Sequence, residues 1–210
     1  MYTTLMLSTL FSNPLVFLIW AIALVVAITV HEFAHAAAAD RLGDPTPRLS
    51  GRLTLNPLAH LDPLGTAALL LIGFGWGKPV TFDPYNLRSP RRDAALISLA
   101  GPTSNLILAA LLSLAFRLLF PGSSLIPLLL LPIISLNIML AVFNLVPVYP
   151  LDGEKILAGL LSPSLAREYS LLMRQWGTII LIFMLLPIGG TSPIIALISP
   201  IISFVTNLLL

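Results

Sequence analysis

The stretch Pro14-Leu-Val-Phe-Leu-Ile-Trp-Ala-Ile-Ala-Leu-Val-Val-Ala-Ile-Thr-Val-His31-Glu32-Phe-Ala-His35-Ala-Ala-Ala-Ala39 decides the fold. It contains no Lys or Arg and exceeds the length, about 20 residues, that an α-helix needs to cross a hydrocarbon core of about 30 Å. Pro14 suits a first helical position, and Arg41, Gly43 and Pro45 close the helix. Yet its last turns carry three ionisable side chains, which lipid tolerates only where something binds them.

The rest of the 210 residues share this character. Hydrophobic residues make up 57% and charged residues 10%, far from the roughly 25% charged residues of a soluble chain. Four further apolar stretches, 94–120, 125–145, 173–188 and 193–210, read as spans, although 125–145 holds Pro127 and Pro132 and the last holds Pro200. The expected fold is therefore an all-α polytopic membrane protein with about five transmembrane helices. Residues 1–210 form a single domain, with a core over about 14–160 and C-terminal helices over about 168–210. Between the first two spans, 65–77 is apolar but is broken by Gly73, Gly75 and Gly77. That pattern suggests a re-entrant or interfacial β-hairpin lining a site.

Charge supplies orientation. Ten of the eleven basic residues fall between the first and second spans or between the third and fourth, leaving Arg117 on the other side. The positive-inside bias makes the crowded side cytoplasmic, with the N-terminus outside and the C-terminus inside a multi-pass plasma membrane of a prokaryote. A net charge of +2 without a basic cluster is no nucleic-acid footprint. With no cysteine, any metal must be held by His, Asp or Glu. The segment before Arg41 also lacks the basic region of a secretory signal and reads as a retained membrane helix.

His31-Glu32-Phe-Ala-His35 is an H-E-x-x-H sequence. Positions i and i+4 of a helix share one face, about 6 Å apart at Cβ, which suits two imidazole ligands of one zinc ion. Glu32, turned about 100° from His31, can take a proton from a water held there. From Phe33 to Arg41 the helix rises about 12 Å, so the site lies within the membrane near the cytoplasmic side. A catalytic zinc needs a third protein ligand and an open position. Asp152, in Asn144-Leu-Val-Pro-Val-Tyr-Pro-Leu-Asp152-Gly153, is the candidate, with an N-cap for a short helix over 154–161 as the alternative. Asn105 reads as an interhelical hydrogen-bonding residue and His60 as a loop histidine paired with Asp62.

His31-Glu32-Phe-Ala-His35 together with Asn144-x-x-Pro147-x-x-Pro150-Leu151-Asp152-Gly153 resembles the site-2 protease family of intramembrane zinc metalloproteases. So do Gly51-Arg-Leu-Thr-Leu-Asn56-Pro57-Leu-Ala-His60-Leu-Asp62-Pro63-Leu-Gly65, Gly75-Trp76-Gly77-Lys78-Pro79-Val80 and Ala100-Gly101-Pro102-x-x-Asn105, and the likeness covers roughly 20–160. The resemblance implies His31, His35 and Asp152 as ligands of one zinc per chain, Glu32 as general base and acid, and Asn144 as a contact to substrate. It implies cleavage of membrane-spanning segments of other proteins, in a minimal form without a PDZ-like insertion or a nucleotide-binding domain. The segment 66–80 is expected to pair with the unwound substrate by strand addition. An intramembrane metal transporter is the alternative function. No Gly-x-Ser-x-Gly or Gly-x-Gly-Asp motif points to serine or aspartyl chemistry.

Overall fold

The computed structural model describes residues 12–72, 76–120, 126–187 and 190–210. Among these the chain is helical: α1 Pro14–Arg41, α2 Thr46–Leu49, α3 Pro63–Ile72, α4 Pro90–Leu119, α5 Ile126–Asn144, α6 Asp152–Leu160, α7 Pro163–Leu185 and α8 Pro193–Leu209. Helices α1, α3, α4, α7 and α8 all begin on proline, where the missing N–H costs nothing and the fixed φ already suits the helix. The Asn13 side chain caps α1 by accepting the Val16 N–H at 3.2 Å.

Helix α1 is arranged inside out relative to a helix of a soluble protein. Its buried face is Ile19, Ala23, Ala27, Thr29, His31, His35, Ala36 and Ala39, whereas Leu15, Leu18 and Ile22 point outward, each more than half exposed. Lipid removes the penalty on exposed leucine, and small residues let neighbouring backbones come close. Helices α4 and α5 pack against α1 and against each other. A second apolar cluster joins α5 to α7 and α8 through Ile134, Ile138, Val142, Leu181, Ile194 and Ile198.

Three helices among the described residues, α1, α4 and α5, are long and apolar enough to cross a membrane, so the expectation of about five spans is corrected. Helix α7 starts at Pro163 and carries Arg167, Glu168 and Arg174 in its first half, and α8 has 17 residues with Pro200 inside it. The expected β-hairpin is corrected as well. Residues Pro63–Ile72 form α3, and the β contact present among the described residues is an isolated antiparallel bridge between Leu61 and Gly77. Residues 73–75, with Gly73 and Gly75, lie outside the described residues. The cause is local. Asp62 accepts the Gly65 N–H on its side chain and the Thr66 N–H on its carbonyl, both at 2.7 Å, and so starts a helix on an Ala/Leu run that favours one. Nor is 78–80 a free strand edge. The Lys78 N–H donates to His60 O at 2.8 Å, Pro79 has no N–H, and the Val80 N–H donates to Glu32.

Asp44 ties the end of α1 to Asp83 and Asn86, which follow this 78–80 strap. Its fully buried carboxylate accepts from the Thr46 N–H and hydroxyl, the Asp83 N–H at 2.7 Å and the Asn86 side chain at 2.8 Å. Burial pushes the carboxyl up, but the hydrogen bonds from Thr46, Asn86 and Asp83 outweigh it and hold it below the usual carboxylate range. The folded state therefore prefers the ionised form. The stability this contributes is present above the unfolded value of about 4 and is lost as pH falls through the lower folded value. Asp44→Ala should cost about 3 kcal/mol at neutral pH, because four donors lose their acceptor. Thermal unfolding followed by circular dichroism in detergent should show the gap from wild type narrowing as pH drops below about 4.

Candidate metal centre

The H-E-x-x-H turn of α1 and the N-terminus of α6 meet at one point. His31 Nε2 lies 3.0 Å and His35 Nε2 3.3 Å from Asp152 Oδ2, and the two rings stand edge to face with centroids 4.5 Å apart. The three potential ligand atoms lie within 4.8 Å of one another, and both imidazoles are buried. Asp152 opens α6, but its side chain makes no capping bond. The N-cap reading is set aside by where the carboxylate points.

Helix α4 holds the far side of both rings. His35 Nδ1 donates to the Ile97 carbonyl at 2.7 Å, and His31 Nδ1 meets Asn105 Oδ1 at 2.7 Å. A carbonyl oxygen can only accept, so each ring carries a proton on Nδ1 and turns Nε2 toward Asp152. The two Nε2 atoms and a carboxylate oxygen then converge in a buried space. A proton or a metal cation shared among them offsets the cost of burying these groups, and two imidazoles with one carboxylate suit a divalent zinc. The residues present therefore fit the metal.

Between Ile97 and Asn105 the same face of α4 carries Gly101. A Cβ there would fall 2.5 Å from Cε1 and Nε2 of His35 and 2.7 Å from Cε1 of His31, so glycine is what lets α4 approach the ring pair. Pro102, next in sequence, removes the N–H that would bond the Ser98 carbonyl, and Ser98 lines the site. The loop bearing Asp152 is as tightly set. A Cβ on Gly153 would overlap the Val146 carbonyl, and Tyr169 of α7 donates its hydroxyl to Pro147 O at 2.7 Å.

Beside the ligand atoms a cavity of about 130 Å³ is lined by Glu32, Asn144, Val80, Phe82, Pro150 and Lys155 as well as by the three ligand candidates. Glu32 Oε2 accepts the Val80 N–H at 2.9 Å, leaving its other oxygen available. Asn144 donates one amide hydrogen to Leu140 O at 3.0 Å and keeps a second hydrogen and its oxygen for a ligand.

Three relatives bear on this geometry. The chain is 37% identical over 177 residues to "Putative zinc metalloprotease YwhC" of Bacillus subtilis, covering 80% of this chain and 81% of that protein. It is 32% identical over 185 residues to "Putative zinc metalloprotease Rip2" of Mycolicibacterium smegmatis, covering 81% of this chain and 68% of that one. To the protein of the same name in Mycobacterium tuberculosis it is 38% identical over 149 residues, covering 68% of this chain and 57% of that one. The chain belongs to the site-2 protease family. No family model matches it, and neither does any solved structure.

In this site-2 protease family member, all five residues singled out from sequence, His31, Glu32, His35, Asn144 and Asp152, border one cavity. His60 does not join them. It is fully buried and bonds through Nε2 to Thr54 O at 2.8 Å, while Asp62, the partner expected for it, starts α3 instead. Ile97 was invisible as a site residue, because a backbone carbonyl leaves no chemical signature in a sequence, whereas Gly101 belongs to the motif Ala100-Gly101-Pro102-x-x-Asn105 read there, although nothing in the sequence placed it against the two rings. Gly101→Ala should force the rings or α4 to move. It is expected to destabilise the fold by about 1–3 kcal/mol and to weaken zinc retention, read by unfolding and by dialysis against a chelator.

Proposed function

We propose that the chain is a zinc-dependent endopeptidase that cleaves peptide bonds within or beside transmembrane segments of other proteins. The observation that carries this reading is the convergence of two Nε2 atoms and the Asp152 carboxylate beside an anchored Glu32, with both histidines and Glu32 on a helix apolar enough to cross a membrane. His31, His35 and Asp152 would hold one zinc per chain. Bound there, zinc supplies a Lewis acid that polarises a carbonyl and acidifies water.

The remaining chemistry belongs to the chain. Glu32, with one oxygen fixed on the Val80 N–H, takes a proton from the attacking water through the other and delivers it to the leaving nitrogen. Asn144, at the rim of the same cavity, hydrogen-bonds the substrate backbone and orients the scissile carbonyl. A substrate helix is about 10 Å across and has every interior peptide group bonded, so it cannot enter a cavity of about 130 Å³ intact. The substrate therefore unwinds locally, and the residues at its cut site favour unwinding.

The site faces the cytoplasmic side of a prokaryotic plasma membrane, with the N-terminus outside. The basic residues after α1 and around α6 support this orientation. Zinc transport, the alternative, leaves the anchoring of Glu32 without a purpose. Purified Glu32→Gln should retain zinc like wild type while its cleavage of a model transmembrane substrate falls by about 10²- to 10⁴-fold. Full cleavage by that variant would end the assignment, and zinc flux through reconstituted protein without proteolysis would favour transport.

A further inference from the structure

Behind His31 lies a polar chain that the proposed chemistry does not use. Asn105 and Asn137 are both fully buried, in helices that are otherwise apolar enough to span a membrane. Asn105 Nδ2 donates to Asn137 Oδ1 at 2.7 Å and to Ala27 O of α1 at 3.0 Å, and Asn137 Nδ2 donates to Ile133 O at 2.8 Å. The order of donors is forced. Ile133 O and Ala27 O can only accept, so each amide must turn its NH₂ toward them. That leaves Asn105 Oδ1, and never its nitrogen, facing His31 Nδ1 at 2.7 Å.

We infer that Asn105 and Asn137 form a positioning relay for the metal centre. Asn137 fixes which way the Asn105 amide faces, and Asn105 holds the proton of His31 on Nδ1 so that Nε2 stays free to bind the ion. The inference rests on the zinc reading given above and assigns it two residues on α4 and α5 that do not touch the ion. Without the relay, a flipped Asn105 would point an N–H at Nδ1, move the ring proton to Nε2 and block the ligand position. A carboxylate or carbonyl behind a zinc-bound histidine serves the same end, and its loss typically costs about 10- to 100-fold in metal affinity. A purely structural account of the two amides, as bonds that hold α1, α4 and α5 together, predicts altered unfolding with unaltered metal affinity in the folded protein.

The test uses the full chain in detergent. Zinc affinity is measured by competition with a chromophoric chelator for wild type, Asn105→Leu, Asn105→Asp, Asn137→Leu and Asn137→Asp. Separately, ¹⁵N chemical shifts of the histidine rings are recorded on metal-free protein. The leucine variants remove the acceptor while nearly keeping volume, and should weaken zinc binding by about 10- to 100-fold at position 105 and severalfold at 137. Each aspartate variant gives up the N–H groups of the amide it replaces but still presents an oxygen in the required direction, and should bind zinc more tightly than the leucine variant at the same position. The metal-free wild type should show His31 protonated on Nδ1, with Asn105→Leu shifted toward Nε2.

Leucine variants that bind zinc like wild type, or aspartate variants as weak as the leucine ones, overturn the relay. If both leucine variants fail to fold, the wild-type ring shifts decide, and His31 protonated on Nε2 overturns it. Wild-type protein that takes up no zinc overturns the metal reading and the relay with it, whereas wild-type uptake with unchanged leucine variants overturns the relay alone.

Discussion

Three atoms able to bind a cation, His31 Nε2, His35 Nε2 and Asp152 Oδ2, converge in a buried space with the carboxylate oxygen 3.0 and 3.3 Å from the two nitrogens, and most of the molecule is arranged around holding them there. With neither a proton nor a metal cation among them they would repel. They stay because the opposite edge of each ring is bonded to α4, which fixes the tautomers, and because α6 starts where its first residue can meet both rings. A divalent cation held by these three residues would offset the burial of their polar groups and would supply a Lewis acid.

This arrangement explains the distribution of residue sizes around the centre. Large side chains face outward along much of α1, whose buried face is mostly alanine near the rings, while Ile and Leu fill the separate cluster between α5, α7 and α8. Close approach of α4 to α1 needs Gly101 where the rings sit, and close approach of α6 to the preceding loop needs Gly153. Outside the helices, Asp44 gathers four donors from both sides of the strap that ends at Val80, and Val80 in turn steadies Glu32. Helix α7 braces the Asp152 loop through Tyr169 and through Gly177, which packs against Tyr149. The polar groups of the centre are thus also held by α4, α7 and the Val80 segment, none of which supplies a ligand candidate.

The centre was legible in the sequence because its chemistry is local: the i, i+4 spacing of His31 and His35 sets their common face, and prolines around Asp152 mark a loop that departs from helix. The bounds of α1, α4 and α5 were also legible to within a few residues, since long apolar runs and proline starts define them. What misled was the stretch 63–80. Its short apolar run and glycines match a hairpin as well as a short helix, and the deciding bonds from Asp62 and Glu32 depend on partners that periodicity does not encode. The last two apolar stretches misled in another way. Hydropathy alone ignores where a helix begins, and α7 begins early enough to include three charges. Asn105 was seen as a hydrogen-bonding residue, but its partner His31 lies 74 residues away.

The most direct test of the central claim is the metal content and zinc affinity of purified protein, measured for wild type, His31→Ala, His35→Ala and Asp152→Ala with Asp62→Ala as a control outside the centre. Wild type and the control should hold about one zinc per chain, and each of the other three should lose it or bind far more weakly, because a catalytic site has three protein ligands and no spare. Zinc retained at wild-type affinity by Asp152→Ala would contradict the account, since it would leave the loop from Asn144 to Gly153 and the start of α6 without the role that the whole arrangement assigns them.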